Sequence, residues 1–470
     1  MTSEEFYRLR DDRTNRCRGA HRYQRVTCGL RMAPELAATY RGQVLALTAA
    51  NLMSRWCRRL ALAVPDAPLH PLLRVRGCRT LRGRIWVEVH GADPFGDFGF
   101  IHGEPWSSSL LLDLGNLQSV GRPANYVVDG AGWLACGGRE AASLSAGEND
   151  LNPIGPAIAA CLGVAQIFKI AIGQGCDLIF QGVRFSAYDF SLGTTPSTGL
   201  TVSGHASLGR TLMVGVGSVG SAILYFLRMV SPTGLLVLVD HDTVKLENLN
   251  RSPLFGMRDR DAHKAEVGAD YLKGAGMTVQ AVPRSYRDFL SGHPRLEHPF
   301  DLLLPLANED GVRSAIQHNI PPLMAYGTTT GDWGINFGRH IPGREDCLLC
   351  RYPTEPDAKL ACGEGPVTRG AEEKQPDAAL PFLSALAGVL AVAELIKLQD
   401  IPYPVNHNFL YLDLWGPLAT VVHFPMSPRS DCACRGQEEV FQKINGDTRY
   451  AGLSVDVNSR RFDIRVEGSK

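Results

Sequence analysis

"LMVGVGSVGSAI", Leu212–Ile223, decides how the rest of the chain is read. A short apolar strand runs into Gly215-x-Gly217-x-x-Gly220, and an apolar helix follows. Glycines let a backbone approach a phosphate, and a helix N-terminus supplies free N–H groups and the positive end of its dipole. Asp240 follows Gly220 by 20 residues, at the end of a second buried strand, "LLVLVD". A carboxylate there can accept from ribose hydroxyls. "FDLLLPL" (300–306) and "PPLMAYG" (321–327) supply further apolar strands, with the helix-like "EDGVRSAIQHN" between them. This alternation predicts an α/β fold: a Rossmann-like, doubly wound parallel sheet with helices on both faces.

The residues beyond Asp240 narrow the nucleotide. In "VDHDTVKLENLNRSPLF" (239–255), Asn248 and Arg251 are three apart, so one helical turn presents both on the same side. An amide, a guanidinium and Lys264 suit a polyphosphate tail. Hydride transfer has no use for cations there. Attack on an α-phosphate does, because charge develops on the phosphoryl oxygens and on departing pyrophosphate.

With these residues the stretch resembles the adenylation domain of the ThiF/MoeB and ubiquitin-activating enzyme superfamily, over about 210–400. The matching positions are Gly215, Gly217, Gly220, Asp240, Asp242, Asn248, Arg251 and Lys264. The resemblance implies that they bind ATP with Mg²⁺, and that a protein's C-terminal glycine carboxylate attacks the α-phosphate to give an acyl-adenylate. The family has an Asp five residues before an Arg at the end of a later strand, which helps hold Mg²⁺. Here Arg313 counts back to Asn308, which offers a carbonyl oxygen but no charge, with Glu309 or Asp310 beside it to compensate.

Cys347-x-x-Cys350 and Cys432-x-Cys434 are two close thiol pairs, a set that suits tetrahedral Zn²⁺. The family carries a structural zinc from two CxxC pairs in these places; here the second pair has the tighter spacing. The polar stretch 352–380 between the pairs reads as a crossover loop and holds a single cysteine, Cys362. In relatives that form a thioester the nucleophile lies on that loop, so the resemblance makes Cys362 the thiol that takes the acyl group. In relatives that stop at the adenylate it would be a bystander. ATP sites of this family are completed by an arginine from the paired unit's RYxRQ-like motif. "HRYQRV" (21–26) makes Arg25 the candidate.

The first half carries no catalytic constellation. "QVLALTAANLMSRWCRRLALAV" (43–64) suggests a helix; "RIWVEVHG" (84–91) and "SLLLDLG" (109–115) suggest strands. One echo links the halves: "AACLGVAQIFKI" (159–170) and "AGVLAVAELIKL" (387–398), at a constant offset. Two alanine-rich core helices, or two copies of one fold, both produce it. In the second case only the later copy kept the glycine turn. The expected organisation is a degenerate, inactive adenylation-like domain (1–195), an active ThiF-type domain (196–435) and a β-hairpin tail (436–470). The Ser/Thr/Gly-rich stretch 191–210 links the first two.

The chain of 470 residues is formally neutral, 44% hydrophobic and 20% charged, an ordinary globular balance without a global pull toward nucleic acid or membrane. Residues 1–85 nevertheless carry 17 arginines against six acids. A nucleic-acid-binding arm or intramolecular partners would account for them; apolar residues interleaved throughout favour the latter. No run reads as a membrane span, and Glu4, Glu5, Asp11 and Asp12 argue against a transit peptide. Twelve cysteines in so long a chain suit the reducing cytoplasm.

The expected function is ATP-dependent activation of a ubiquitin-like β-grasp protein, thioester transfer to Cys362, and handover to a conjugating enzyme. Two chains pairing as a homodimer stays open. So do a sulfur-carrier or peptide adenylyltransferase, an NAD-dependent oxidoreductase, and a non-catalytic scaffold. A bacterial origin is hinted at by the Ala/Arg/Gly-rich composition.

Overall fold

A computed structural model describes the chain apart from residues 18, 76, 103–107, 116–123, 140–143, 145–149, 175–177, 194–205, 292–299, 308–311, 313–314, 317–322, 352–378, 399–406, 418–419, 438 and 440–470. The expected linker centre, crossover loop and hairpin tail lie largely outside the described residues.

The first half forms a sheet of β1 (Cys28–Met32), β2 (Arg59–Ala63), β3 (Asp97–Phe100), β4 (Leu110–Leu114), β5 (Tyr126–Ala131), β6 (Leu134–Gly138) and β7 (Gly182–Ser186), in the order β3-β2-β1-β4-β5-β6-β7. The second half uses β8 (Ser207–Val214), β9 (Thr233–Val239), β10 (Met277–Val282), β11 (Leu302–Pro305), β12 (Met324–Thr329), β13 (Gly334–His340), β14 (Phe409–Asp413) and β15 (Thr420–Phe424). Their order is β10-β9-β8-β11-β12-β13-β14-β15. Apart from β15 the two orders are the same. In both, five strands run parallel and the next two return antiparallel. The echo therefore marks two copies of one doubly wound fold.

The helices that matter for the site are α1 (Ser3–Arg10), α2 (Asp12–Asn15), α3 (Tyr40–Ser54), α4 (Leu81–Ala92), α5 (Ile154–Ala171), α6 (Ser218–Val230) and α7 (Lys264–Tyr271), followed by a late helix, Pro381–Lys397. Two local expectations are corrected. Residues 84–91 are helical, because Leu81, Ile85, Val89 and Ala92 bury one helical face and Thr80 caps the first turn by accepting from the Gly83 N–H. The predicted helix over 43–64 ends at Ser54, and its last apolar run becomes β2. α5 is also long and apolar enough to cross a membrane by length and composition, contrary to the reading of the sequence. It is 94% buried inside the protein, which is the ordinary fate of a core helix.

α5 and Pro381–Lys397 are the two echo helices, and they pack on each other. One hydrophobic core runs through both halves. Phe168 of α5 lies 5.9 Å from Trp333 and 5.6 Å from Phe382, while also touching Trp56 and Tyr23 of its own half. The echoed lysines cross this boundary in opposite directions. Lys169 Nζ donates to the carbonyl of Leu178 (2.9 Å) and to that of Gly416 in the second half (3.2 Å). Lys397 Nζ donates to the carbonyl of Tyr188 in the first half (3.3 Å) and sits over the Phe190 ring. At the position three residues earlier the copies differ: Glu394 pairs with Lys397 at 2.9 Å, whereas Gln166 leaves Lys169 with neutral partners.

That difference has a measurable consequence. Burial pushes the Lys169 ammonium down to about 7, with Asp413 opposing weakly. Between about 7 and the ordinary value near 10.5, the unfolded chain holds a proton that the native chain lacks. Stability contributed at this position therefore rises with pH across that window. The gap between the melting temperatures of wild type and Lys169→Met should widen in favour of wild type from about pH 7 to about pH 9.5. A gap independent of pH would contradict the assignment.

Candidate functional site

β8 delivers the chain into the glycine turn at the carboxyl edge of the parallel strands, where doubly wound sheets bind their ligands. Gly215 has φ +100°, and a Cβ there would lie 2.6 Å from the Ala307 backbone nitrogen, so both conformation and space require glycine. A Cβ on Gly220 would meet the Gly215 carbonyl at 2.4 Å, so that glycine lets α6 start close against the turn. Gly217 is different: a Cβ there would meet nothing within 4 Å. It is also the N-cap of α6, and no side chain caps that helix. Gly217 thus opens onto free space at an uncapped helix N-terminus, which is the arrangement a phosphate needs.

Asp240 links this turn to the polar segment that follows it, its carboxylate accepting from Val216 N–H (2.6 Å) and Asp242 N–H (2.8 Å). Lys264 opens α7, is 7% exposed, and its Nζ meets Asp242 Oδ2 at 2.6 Å. Burial pushes the Asp242 carboxyl up, but the hydrogen bond and charge of Lys264 outweigh it and hold the carboxyl below its usual range. Asn248 closes a short 3₁₀ turn, its Oδ1 accepting from Lys245 N–H at 2.9 Å. Arg251 folds over the same turn, donating to the Glu247 carbonyl (2.5 Å) and to Asn250 Oδ1 (3.0 Å).

The structure places the other expected residues as follows. Arg25, itself exposed, ends the 3₁₀ turn Ala20–Arg25, and its carbonyl accepts from Arg59 Nη2 at 2.7 Å. The part of the N-terminus recorded against the nucleotide segment is α1, which packs on Leu246–Asn248, and Thr14, whose Oγ1 accepts from buried Asn250 at 3.0 Å. Asn308 and Cys362 lie outside the described residues. Several basic residues of the first half find partners within that half: Arg10 with Asp11 and Asp93, Arg31 with Asp113, Arg41 with Asp129.

Sequence reasoning missed Asn250 and Arg55. Neither belongs to a motif, and what each touches is supplied by folding from elsewhere. The corresponding turn of the first half also becomes intelligible. Ala33-Pro34-Glu35-Leu36 follows β1, and the Leu36 side chain fills the space against Gly115 at the end of β4. No glycine-lined cradle exists there.

The cysteine pairs come together. All four Sγ atoms, of Cys347, Cys350, Cys432 and Cys434, lie within 4.8 Å of one another, with Cys347–Cys432 at 3.6 Å and Cys350–Cys434 at 3.4 Å. A tetrahedron with Zn–S bonds of about 2.3 Å has S···S edges of about 3.8 Å. The set therefore fits zinc with a slight expansion. Thiol hydrogen bonds, first from Cys434 and then from Cys432 and Cys350, outweigh burial and hold Cys347 down to about 6, so a thiolate is favoured in the cluster.

Residues 204–435 match the ThiF family model, and residues 28–178 match the model of the BilD N-terminal domain. The chain is 31% identical over 162 residues to the NEDD8-activating enzyme E1 catalytic subunit of Saccharomyces cerevisiae, covering 31% of this chain and 52% of that one. It is 25% identical over 207 residues to the sulfur carrier protein ThiS adenylyltransferase of Escherichia coli, covering 41% and 77%. A protein of Sinorhizobium fredii, y4jF, is 27% identical over 52% of this chain and 47% of its own. The chain thus spans about half the length of y4jF and of the NEDD8-activating subunit. A solved structure of E. coli MccB with AMPCPP and MccA aligns at 19% identity and TM-score 0.37, covering 48% of this chain and 67% of that one. The match over 204–435 places the chain in the ThiF/MoeB/ubiquitin-activating superfamily.

Proposed function

We propose that the protein activates the C-terminal carboxylate of a ubiquitin-like β-grasp protein with ATP and carries it as a thioester on Cys362 to a conjugating enzyme. The observation that carries the adenylation step is the open space at Gly217, at an uncapped helix N-terminus whose turn is tied by Asp240, which also accepts from Asp242, the partner of Lys264. Phosphates seat on the N–H groups of the turn, and Asp240 is positioned for the ribose. A carboxylate oxygen of the partner attacks the α-phosphorus, the bond to the bridging oxygen breaks, and pyrophosphate leaves with the electron pair. Arg251 and Lys264 offset the charge that grows on the phosphoryl oxygens and the leaving group. For Arg251 this requires release from Glu247, and for Lys264 a partial exchange of Asp242 for phosphate. Mg²⁺ would neutralise the phosphates, with Asn308 as its protein ligand, and Arg25 is the first half's contribution to them. The Cys362 thiolate then adds to the acyl carbon and AMP departs.

Two further elements belong to this reading. Zinc held by Cys347, Cys350, Cys432 and Cys434 has four protein ligands, so its role is structural: it ties the Ala433–Gly436 turn to the end of β13. The proposed compartment is the cytoplasm, which suits ten described cysteines of which none is in a disulfide.

The acyl transfer gives a split phenotype. Cys362→Ala should retain ATP–pyrophosphate exchange with the partner's C-terminus and lose the reducing-agent-sensitive band with that partner on a non-reducing gel. A band that persists in the variant moves the nucleophile elsewhere. A wild type that exchanges pyrophosphate but never forms the band stops at the adenylate, like a sulfur-carrier or peptide adenylyltransferase. For the metal, elemental analysis should find about one zinc per chain, and Cys432→Ser should lower both metal content and melting temperature. Undiminished zinc in that variant would remove Cys432 from the site.

A further inference from the structure

Arg55 follows α3 in the first half and is 1% exposed. It spends every N–H on an uncharged oxygen. Nε donates to Asn51 Oδ1 at 2.7 Å. Nη1 donates to the Leu249 carbonyl at 2.6 Å and the Phe255 carbonyl at 3.2 Å. Nη2 donates to the Pro253 carbonyl at 2.7 Å and again to Phe255 at 3.2 Å. Apart from Asn51, these acceptors all belong to 249–255 in the other half, the stretch that leaves the Asn248–Arg251 turn and contains neither helix nor strand. Asn51 reinforces the grip by donating to the same Pro253 carbonyl at 3.0 Å. It also donates to Glu88 Oε2, which accepts from the Tyr225 hydroxyl of α6, the helix that begins at the glycine turn. One polar cluster of the first half thus holds both the 249–255 stretch and the helix that follows the glycine turn.

This is a costly way to hold a loop. Burial pushes the Arg55 guanidinium down to about 10 against the opposing charge of Glu88, and a buried cation held by neutral oxygens is expensive. An apolar residue would avoid that cost but would take this donor from the Leu249 and Phe255 carbonyls and leave Pro253 with Asn51 alone. A planar fork that reaches several carbonyls at once fixes the loop's path, not merely its burial.

We propose that Arg55 is a positioning residue for adenylation: by clamping the backbone of 249–255 from the first half, it presents Asn248 and Arg251 to ATP. The proposal rests on the ATP reading given above, and supplies a task for a half whose own turn lacks the glycine cradle. Arg55 does not touch the nucleotide; it acts through the loop.

The test uses the full chain and ATP alone. Arg55→Lys keeps the cation but has no fork, so it cannot bridge three carbonyls. ATP affinity by calorimetry should fall about tenfold or more, and amide hydrogen exchange should rise in 246–258 while the rest of the chain keeps its protection. Arg31→Lys serves as the control, since Arg31 is also buried in the first half but pairs with Asp113 inside its own sheet. It should lower the melting temperature and leave ATP affinity and exchange in 246–258 unchanged. Wild-type ATP affinity in Arg55→Lys overturns the proposal. So does an equal loss in Arg31→Lys, which would make the effect general loosening. Exchange that rises throughout Arg55→Lys overturns it too, because the residue would then hold the fold and not the loop. A wild type that binds no ATP refutes the functional reading instead, and is seen before any variant is made.

Discussion

Two buried lysines, each bonded to a main-chain carbonyl of the opposite half, mark the constraint on which the structure depends: the halves share one core and cannot be separated without exposing it and breaking those bonds. Lys169 reaches Gly416 and Lys397 reaches Tyr188. Around them Phe168, Trp333 and Phe382 close a continuous apolar centre. Because the echo helices carry both the lysines and the core, the two sheets face each other in a fixed relation. That relation lets residues of the first half touch loops of the second.

The copies diverge where chemistry would occur. After β8 the chain needs glycine at 215 to clear Ala307, and at 217 it leaves open space before an uncapped helix. After β1 the Leu36 side chain packs against Gly115 at the end of β4. The first half instead offers side chains to its partner's site: Thr14 to Asn250, Arg55 to three carbonyls, Glu88 to Tyr225. A turn without the glycine cradle and an outward-facing polar cluster are complementary features of a unit that supports a neighbouring site.

Much of the second half was legible in the sequence because its signals are local. Strand-turn-helix spacing located β8, the glycine turn and α6; the short apolar runs located β9, β11 and β12; and two cysteine pairs at ligand spacing predicted a cluster that folds together. The echo at constant offset foretold the repeated topology. What failed was local in the wrong way. "RIWVEVHG" alternates like a strand, yet its burial follows the helical faces begun at Leu81, outside that window. Arg55 was one arginine among 17 in a basic stretch, and nothing nearby marks it. Its meaning lies in carbonyls about 200 positions away, a relation that no spacing rule carries. The positive charge of the first 85 residues was expected to find partners within the molecule, and the arginines at 10, 31 and 41 pair inside their own half.

The central claim is that this chain has one nucleotide cradle, at the glycine turn of the second half. Photolabelling with an azido-ATP analogue, followed by peptide mapping, tests it directly. The account predicts label confined to peptides from 215–264, competed away by ATP and not by NAD. Label on the corresponding turn of the first half, 33–40, or label displaced by NAD in preference to ATP, would contradict it.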